Sequence, residues 1–561
     1  MAAGNRSPLA RLAAIRAEYS PDHAEEKRRL LGAVAKVRLK TAKQVELLHE
    51  TLCFLRAYPD DAALLARVEE MLQGFASRPD LRRHRKALAD TGIAGTSISY
   101  PFFPDTALWL ARRFPAHLHV EWDLFTKEEV LERYLQFLAL WVETPALDEE
   151  PLTCRQWIAK AKGQEETDAT FLMKRLGAMK IDELKFQAMG EELELPLRLD
   201  PAPGTPSRTL ARARWPGQRI LFQQGPLARG RPDLRAEAVQ PPQAVHEVSL
   251  AEGSRLIALA REAMVTRGRD LDAFMYGDPR DVRRLDFGDG YCLAAIGMRP
   301  ERRLLFEAIY GFLTLRNGVP VGYVLNSAIF GSAEIAYNVF DSFRGAEAAR
   351  IYAHVLAAVH HLFGSDSFTI YPYQLGQDND EALESGAWWF YQKLGFLPRD
   401  EGALKLMRSE LERMRKRPGH RSTIATLRRL ADHSVYLHCK KPRDDVIGVL
   451  ALSRASLRVT ELLGRRFGFD RERAERECSA EAARRYGVGS TAKWSAGERL
   501  AWKRWSPLLM TLDGVERWTP AERLAAAEVA RAKGGRRESD FARGFDAHAK
   551  LRAAVLALTK P

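Results

Sequence analysis

Residues 338–349, NVFDSFRGAEAA, contain the residue types that bind a phosphorylated ligand, at the junction of an alternating apolar run and an amphipathic one. The first turn of a helix offers amide donors without intrahelical partners and the positive end of the helix dipole, so it attracts anions. Arg344 could add a charge-assisted contact to a phosphate. Small residues let a backbone approach a ligand closely, and the segment supplies Gly345, Ala346, Ala348 and Ala349. The spacing therefore predicts an anion site at a strand-to-helix turn.

Hydrophobic periodicity predicts the elements that position this turn. Alternation indicates four strands, and Asn317-Gly318 is a two-residue hairpin signal between the second and third. A helix, a fifth strand and a second helix follow, with Gly364 as the stop of the first helix. The predicted strands are 291–297, 306–316, 319–330, 333–340 and 368–373, and the predicted helices are 345–363 and 385–393. The result is an antiparallel meander followed by helix, strand and helix.

This order resembles the GNAT N-acyltransferase superfamily, and two motifs support the resemblance. The first is the strand-to-helix turn described above. The second is AWWFYQKLGF at 387–396, which is similar to the family ending A-x-x-x-Y-x-K-L-G-F. The resemblance covers 306–396 and could extend back to about residue 248. It implies an α+β fold with a GNAT-like mixed sheet, and transfer of an acyl group, expected to be acetyl, from CoA to an amine by direct attack.

Acyl transfer to an amine requires that an ammonium loses a proton, that the thioester carbonyl is polarised and that the leaving thiolate is protonated. The resemblance implies that strand amides near Val339 and Phe340 polarise the carbonyl, and that Tyr391 protonates the thiolate. Glu334 is the candidate general base, and Asn379 is a candidate CoA contact. Tyr391 could instead be a packing residue of an aromatic helix, and Glu334 a solvated charge on a strand.

The sequence departs from the family pattern at two places. Glu347 stands where the family has its middle glycine, and a carboxylate beside a diphosphate is unfavourable unless it turns away or pairs with a cation. Glu384 stands where the family often has Asn, while Asn379 lies in a lengthened loop. These departures are consistent with a specialised acceptor site or with a lost one.

The remainder of the chain predicts flanking regions of different character. Periodicity predicts all-helical regions on both sides of the GNAT-like core, and a stretch dense in Pro and Arg precedes it, with a candidate strand at 219–223. The predicted organisation is a helical region 1–95, a mainly helical region 96–195, a linker or arm 196–245, the GNAT-like domain 246–400 and a helical, basic region 401–561.

Composition restricts the partners and the compartment. Lys and Arg outnumber Asp and Glu by 86 to 73, a net charge of +13, which favours anionic partners. Basic clusters such as 82–86 and 533–537 could bind nucleic acid or could be solvated helix faces. Five dispersed cysteines without CxxC indicate a reducing compartment, and no apolar run reaches the length of a membrane span. We expect a cytoplasmic protein without membrane contact and without a metal centre.

Three functions remain open from the sequence. The first is an N-acyltransferase that uses acetyl-CoA or another acyl-CoA, with an acceptor amine and an oligomeric state that the sequence does not reveal. The second is a scaffold whose GNAT-like core has lost turnover and whose flanks hold a protein or nucleic acid. The third is an acyltransferase that takes its acyl group from aminoacyl-tRNA.

Overall fold

A computed structural model of the chain describes residues 7–228, 230–345 and 347–560. These residues form two compact units. The first unit contains the described residues up to Pro226 together with Ile257–Met275 and Gly318–Pro320. The second unit contains Leu227–Leu256, Tyr276–Asn317 and the described residues from Val321 onward. Each unit has its own buried apolar core.

The helices fall into three groups along the chain. Those before the Pro-rich stretch are α1 (Pro8–Ile15), α2 (Pro21–Lys36), α3 (Ala42–Ala57), α4 (Ala62–Gln73), α5 (Pro79–His84), α6 (Pro104–Arg113), α7 (Glu128–Leu138), α8 (Thr144–Glu149), α9 (Cys154–Ala161), α10 (Asp168–Gly177) and α11 (Glu183–Leu193). The central ones are α12 (Leu234–Glu237), α13 (Leu250–Val265), α14 (Asp272–Met275), α15 (Ala348–Phe363), α16 (Pro372–Leu375), α17 (Asp380–Ser385) and α18 (Ala387–Lys393). The C-terminal ones are α19 (Glu401–Lys416), α20 (Ile424–Ala431), α21 (Leu452–Phe467), α22 (Arg471–Tyr486), α23 (Ala496–Met510), α24 (Pro520–Ala532), α25 (Glu538–Ala547) and α26 (Ala549–Leu558).

The strands form two sheets. The first unit holds a small antiparallel sheet in the order β1 (Ile98–Tyr100), β3 (Leu197–Leu199) and β2 (Leu118–Val120). The nine-stranded sheet contains β4 (Ala244–Glu247), β5 (Gly277–Gly288), β6 (Tyr291–Met298), β7 (Ala308–Arg316), β8 (Val319–Ile329), β9 (Ser332–Val339), β10 (Ser367–Ile370), β11 (Leu397–Pro398) and β12 (Val435–His438). Its order is β11-β12-β10-β9-β8-β7-β6-β5-β4.

The predicted meander and the element that follows it are present. β8 and β9 pair antiparallel, and β10 then joins β9 in parallel after the helical crossover α15. Asn317 and Gly318 have φ of +50° and +79°, the left-handed pair that a two-residue hairpin turn needs. Gly364, at φ +74°, caps α15 as its position predicted. The chain is therefore a mixed α/β protein with a large mixed sheet.

The all-helical flanks are not confirmed as a whole. The described part of 1–95 contains helices and turns only, as predicted, whereas β1, β2 and β3 lie in 96–199, and the last of these is at the start of the stretch that was expected to be a linker. The C-terminal flank contributes β12, whose residues Val435–His438 pair with both β10 and β11. The linker stretch also includes α12 and β4, whereas residues 219–223 have an irregular backbone.

The region after the fifth strand also differs from the prediction. Residues 374–384 are helical in part rather than one long loop, and the expected helix 385–393 is divided at Gly386, whose φ is +69°. A residue with left-handed backbone angles ends a helix, so the chain changes direction between α17 and α18. None of the helices in the described residues combines the length and the apolar composition needed to cross a bilayer.

Candidate functional site

β9 and β10 are hydrogen-bonded over only a few residues. Ser332–Glu334 pair with Ser367–Thr369, but β9 continues to Val339 while β10 ends at Ile370. Pro372 starts α16 two residues later, and a proline cannot donate to a strand ladder, so the β10 chain turns out of the sheet. β9 thus continues past the point where β10 leaves the sheet, and we call this point the divergence of the two strands.

The register of β9 shows which of its backbone groups lie toward this divergence. The Phe340 N–H donates to Val321 O at 3.0 Å, and Val339 pairs with Gly322. In an antiparallel ladder, hydrogen-bonding direction alternates along the strand. The even-numbered residues of β9 therefore direct their backbone N–H and C=O groups toward β8. Ile335 and Val339 direct theirs toward the β10 side. Of the two predicted amides, Phe340 is used by the sheet and Val339 lies at the divergence.

The N-terminus of α15 lies at the end of β9. Gly345 and Glu347 have φ of +82° and +44°, and no side chain caps the first turn of this helix. Ala348 and Ala349 are half-buried small residues at its start. Ala346 lies outside the described residues. Because no side chain caps this turn, its backbone N–H donors and the positive end of the helix dipole are available to an anion at the helix N-terminus.

Glu347 is buried, and its carboxylate has several partners. Its carboxylate accepts from the Tyr291 hydroxyl at 2.6 Å and from the Ala228 N–H at 3.1 Å. Arg350 lies 3.4 Å from the same carboxylate, whose side chain is only 3% exposed. A carboxylate held by two donors and a cation is turned away from the helix mouth, so it does not oppose an anion there.

Arg344 lies exposed at the same turn. Its guanidinium forms an ion pair with Asp341 at 2.8 Å and a second, closer one with Glu381. Exposed pairs of this kind contribute little to stability and exchange readily with solvent. Arg344 is therefore placed beside the helix mouth, and it would contact a phosphate by exchanging its carboxylate partners.

Glu334 is a half-buried carboxylate that forms no hydrogen bond or ion pair with another described residue. Burial and then the charge of Glu307 together raise the pKa of Glu334 to about 7. Burial, Glu334 and Glu307 together raise the pKa of Tyr371 to about 12. The three groups therefore interact electrostatically, and a carboxyl with a pKa near neutrality suits proton transfer.

The C-terminal part of the second unit packs beside Glu334. Thr369, the parallel partner of Glu334, donates its hydroxyl to Ile447 O at 2.8 Å. The Ile447 N–H in turn donates to the Ser332 hydroxyl at 3.0 Å. Gly448 follows at φ +90°, where an added Cβ would lie 3.0 Å from Thr369 Cγ2. The segment 446–448 thus forms a wall of the Glu334 environment, which the sequence did not indicate.

Tyr391 lies in a buried aromatic cluster. Its ring centroid is 5.7 Å from those of Tyr352 and Phe396, and burial raises the pKa of its hydroxyl strongly. The buried Tyr352 hydroxyl has no hydrogen-bond partner among the described groups, and its pKa is raised by burial and then by Tyr391. The two phenols therefore adjoin. Tyr352 lies on the predicted helix 345–363, and its hydroxyl was not among the candidate groups.

Asn379 has a local structural role. Its side-chain oxygen accepts from the Ala382 N–H at 3.1 Å, which caps α17, and its amide nitrogen donates to Tyr373 O at 3.1 Å. Both polar ends of the side chain are thus used within the segment. Among the described residues, no three or more His, Cys, Asp or Glu side chains gather in a group that could hold a metal ion.

Comparison of the chain with protein-family models, with curated proteins and with solved structures gives no match.

Proposed function

We propose that the second unit is an N-acyltransferase of the GNAT type, which transfers an acyl group from CoA to an amine. The observation that carries the proposal is the divergence of β9 and β10 beside the uncapped first turn of α15. In the GNAT family, splayed fourth and fifth strands make the slot for the pantetheine arm of CoA. The short base of pairing and the longer β9 are consistent with such a slot, and the uncapped turn suits the diphosphate.

Three groups of the chain have chemistry that suits direct transfer. Glu334 would accept the proton that the acceptor ammonium loses, directly or through water. The amide of Val339 would polarise the thioester carbonyl as the new C–N bond forms. Tyr391 would donate its proton to the thiolate released when the C–S bond breaks, and the adjoining Tyr352 hydroxyl would support the phenolate that results. The nitrogen would lose its second proton as the tetrahedral intermediate collapses, and that proton would return to the Tyr391 phenolate through water, while Glu334 releases its own proton to solvent.

Arg344 and the first turn of α15 would hold the diphosphate. The guanidinium supplies charge, and the amides near Ala348 and Ala349 supply donors at the positive end of the helix dipole. Because Glu347 is turned toward Tyr291 and Ala228, the turn presents no opposing carboxylate from that position. These features supply an anion site without a dedicated glycine at position 347.

A thermal-shift series with CoA, acetyl-CoA and longer acyl-CoAs tests the proposal. A ligand that binds the folded state raises the melting temperature in a saturable way. We expect such a rise for CoA and for at least one acyl-CoA, with adenosine as the control that lacks the diphosphate and pantetheine. A chain whose melting temperature is indifferent to every thioester would not be a CoA-dependent enzyme.

A scaffold without turnover is the second candidate. Two observations favour it: Arg344 already pairs with Asp341 and Glu381, and Tyr391 is enclosed by aromatic rings. Thiol release from acetyl-CoA in the presence of a panel of primary amines separates the candidates. Binding of CoA without thiol release for any amine would favour the scaffold.

A further inference from the structure

The first unit contains a cavity of about 700 Å³ that the proposed acyl transfer does not use. Sites for small organic ligands commonly have volumes of roughly 300–1,000 Å³. Its described lining residues are Ala76 and residues from α5 and the helical turn after it, from 93–96, from 201–207, from 210–212 and from α13. The cavity is thus large enough for a ligand and is built by several separate segments.

Part of the cavity lining is apolar, and we call this part the floor. Leu81, Ile93 and Leu259 line it, and all three are buried. Gly95 lets the chain pass close to this floor, since its φ is +91° and an added Cβ would lie 3.3 Å from Leu81 Cδ2. An aliphatic group would gain by transfer from water to such a surface.

The lining also carries an excess of positive charge. Arg212 is held by Glu69 at 2.6 Å, and the acidic lining residue Glu262 is paired with Arg113 at 3.3 Å. Arg82 and Arg85 are exposed, and their guanidinium groups form no hydrogen bond or ion pair with any residue that the structure describes. They are three positions apart in a helical segment, so they share a face. Two guanidinium groups without acidic partners therefore border the cavity.

Two sequence features without a role in acyl transfer meet at this cavity. One is the basic cluster 82–86, and the other is the Pro-rich stretch, of which 201–207 form one wall. The wall is fixed in place: the Thr205 hydroxyl donates to Ala202 O at 2.8 Å, and the Arg208 N–H donates to Gly92 O at 2.8 Å. Proline rings restrict the same segment further, so the cavity does not need to be formed by its ligand.

We propose that this cavity binds a small organic anion with a phosphate or carboxylate head and an aliphatic body. Arg82 and Arg85 hold the head, because a guanidinium pairs with either oxyanion through two parallel hydrogen bonds. The floor of Leu81, Ile93 and Leu259 holds the body. None of the described lining residues is aromatic, so the cavity offers no platform for stacking a nucleobase, and an aliphatic anion fits better than a nucleotide.

Isothermal titration of the full chain with octyl phosphate tests this assignment, with octanoate, inorganic phosphate and AMP as further probes. We expect saturable binding of octyl phosphate at one site per chain, and weaker binding of inorganic phosphate and AMP. The Arg82→Ala/Arg85→Ala double variant should lose at least about tenfold in affinity. The matched control is Arg83→Ala, which removes an exposed arginine of the same cluster that does not line the cavity.

The arms of the experiment separate the two halves of the assignment. Octanoate binding as tight as octyl phosphate identifies a carboxylate ligand, and a clear preference for octyl phosphate identifies a phosphate; both support the proposal. Absence of saturable binding by either amphiphile would overturn it. Affinity that is equal in the wild type and the double variant would overturn the role of the arginines, and equal affinity for inorganic phosphate would overturn the role of the apolar floor.

Discussion

Two groups of carboxylates in the second unit are treated very differently by their surroundings. Glu538 is buried and pairs with Lys533 at 2.6 Å, and Asp281 accepts from the Glu538 N–H at 3.1 Å and from the Tyr310 hydroxyl. Glu334 and Glu307 lie near each other, and neither side chain forms an ion pair with a described residue. A buried charge that supports a fold is normally paired with an opposite charge. Because Glu334 has no such pair, its position is not explained by stability and is better explained by function.

The cluster around Glu538, Lys533 and Asp281 has further contacts that fix several parts of the chain. Arg303 donates to Lys533 O at 2.8 Å, and Arg283 donates to the Ser539 hydroxyl at 2.9 Å. Gly297 passes so close that an added Cβ would lie 2.2 Å from Asp281 Oδ2. The cluster thus fixes α25 against the sheet through charge, hydrogen bonds and a required glycine, and no such network surrounds Glu334.

The largest effect should come from breaking the neutralised cluster. Glu538→Ala would leave the Lys533 ammonium buried without its carboxylate, and we expect a loss of about 3–5 kcal/mol in the free energy of unfolding. Urea denaturation measures this loss. Glu307→Ala is the control, since it removes a neighbouring carboxylate that forms no ion pair with a described residue, and its effect on stability should be much smaller. An equally small effect of both variants would erase the contrast between the two groups.

The second effect concerns Glu334 itself. If it is the general base, Glu334→Gln should lower thiol release from acetyl-CoA by about 10²–10³-fold, with a folded protein. Its raised folded-state pKa has a second consequence. The folded state holds this proton more tightly than the unfolded state, so ionisation reduces stability progressively as pH rises from the ordinary carboxyl range to about 7.

Glu334→Gln therefore should be as stable as the wild type near pH 4.5 and more stable at pH 8. Unfolding free energies at the two pH values check this. A variant that is less stable than the wild type at pH 8 would show that the Glu334 carboxylate is neutralised after all.

The third effect is on the leaving group. Tyr391→Phe should lower turnover by about 10–100-fold while CoA affinity stays the same, because the hydroxyl donates only to the thiolate. Stability should also be retained, since the ring remains in its aromatic cluster. Turnover equal to that of the wild type would remove Tyr391 from the mechanism and leave it as a packing residue.

The fourth effect is on binding of the diphosphate. Arg344→Ala should weaken CoA by about tenfold through loss of one charge-assisted contact. Glu381→Gln is the matched control, because it removes one of the two carboxylates that pair with the guanidinium and should leave the affinity unchanged or increase it. Titration calorimetry distinguishes these outcomes, and weaker binding in Glu381→Gln would indicate that the ion pair itself shapes the site.

The smallest effect separates a cap from a ligand contact. Asn379→Ala removes the side-chain cap of α17 and should reduce stability by about 1 kcal/mol. Its CoA affinity should remain that of the wild type, because both polar ends of the side chain serve the local backbone. A tenfold loss of CoA affinity in this variant would return Asn379 to the binding site.

The sequence predicted the centre of the nine-stranded sheet, because β6 to β9 alternate clearly and the Asn317-Gly318 turn is specific. β5 was missed because its buried positions include Asp281 and Arg283, whose charges disrupt an apolar alternation. β12 was missed because four residues in a basic, helical region carry too little pattern. Local periodicity does not predict strands whose stability depends on partners far away in the sequence.

The sequence predicted the elements that carry the candidate site residues more fully than the contacts of those residues. Glu334 lies on a predicted strand, Arg344 at the predicted strand-to-helix turn and Tyr391 on a predicted helix. The hydrogen bonds of Glu347 to Tyr291 and Ala228 depend on chain segments that are far apart in sequence. Likewise, the basic cluster 533–537 was expected to be a solvated helix face or a nucleic-acid surface, but Lys533 is buried against Glu538.

Hydrogen exchange measured with and without CoA tests the central claim most directly, since exchange reports local protection residue by residue. If the divergence of β9 and β10 receives the pantetheine arm and α15 receives the diphosphate, CoA should slow exchange at 335–340 and at 347–351. The amides of α3 in the first unit should exchange at the same rate in both conditions. Protection by CoA at other segments, with 335–340 and 347–351 unchanged, would contradict the assignment of the site.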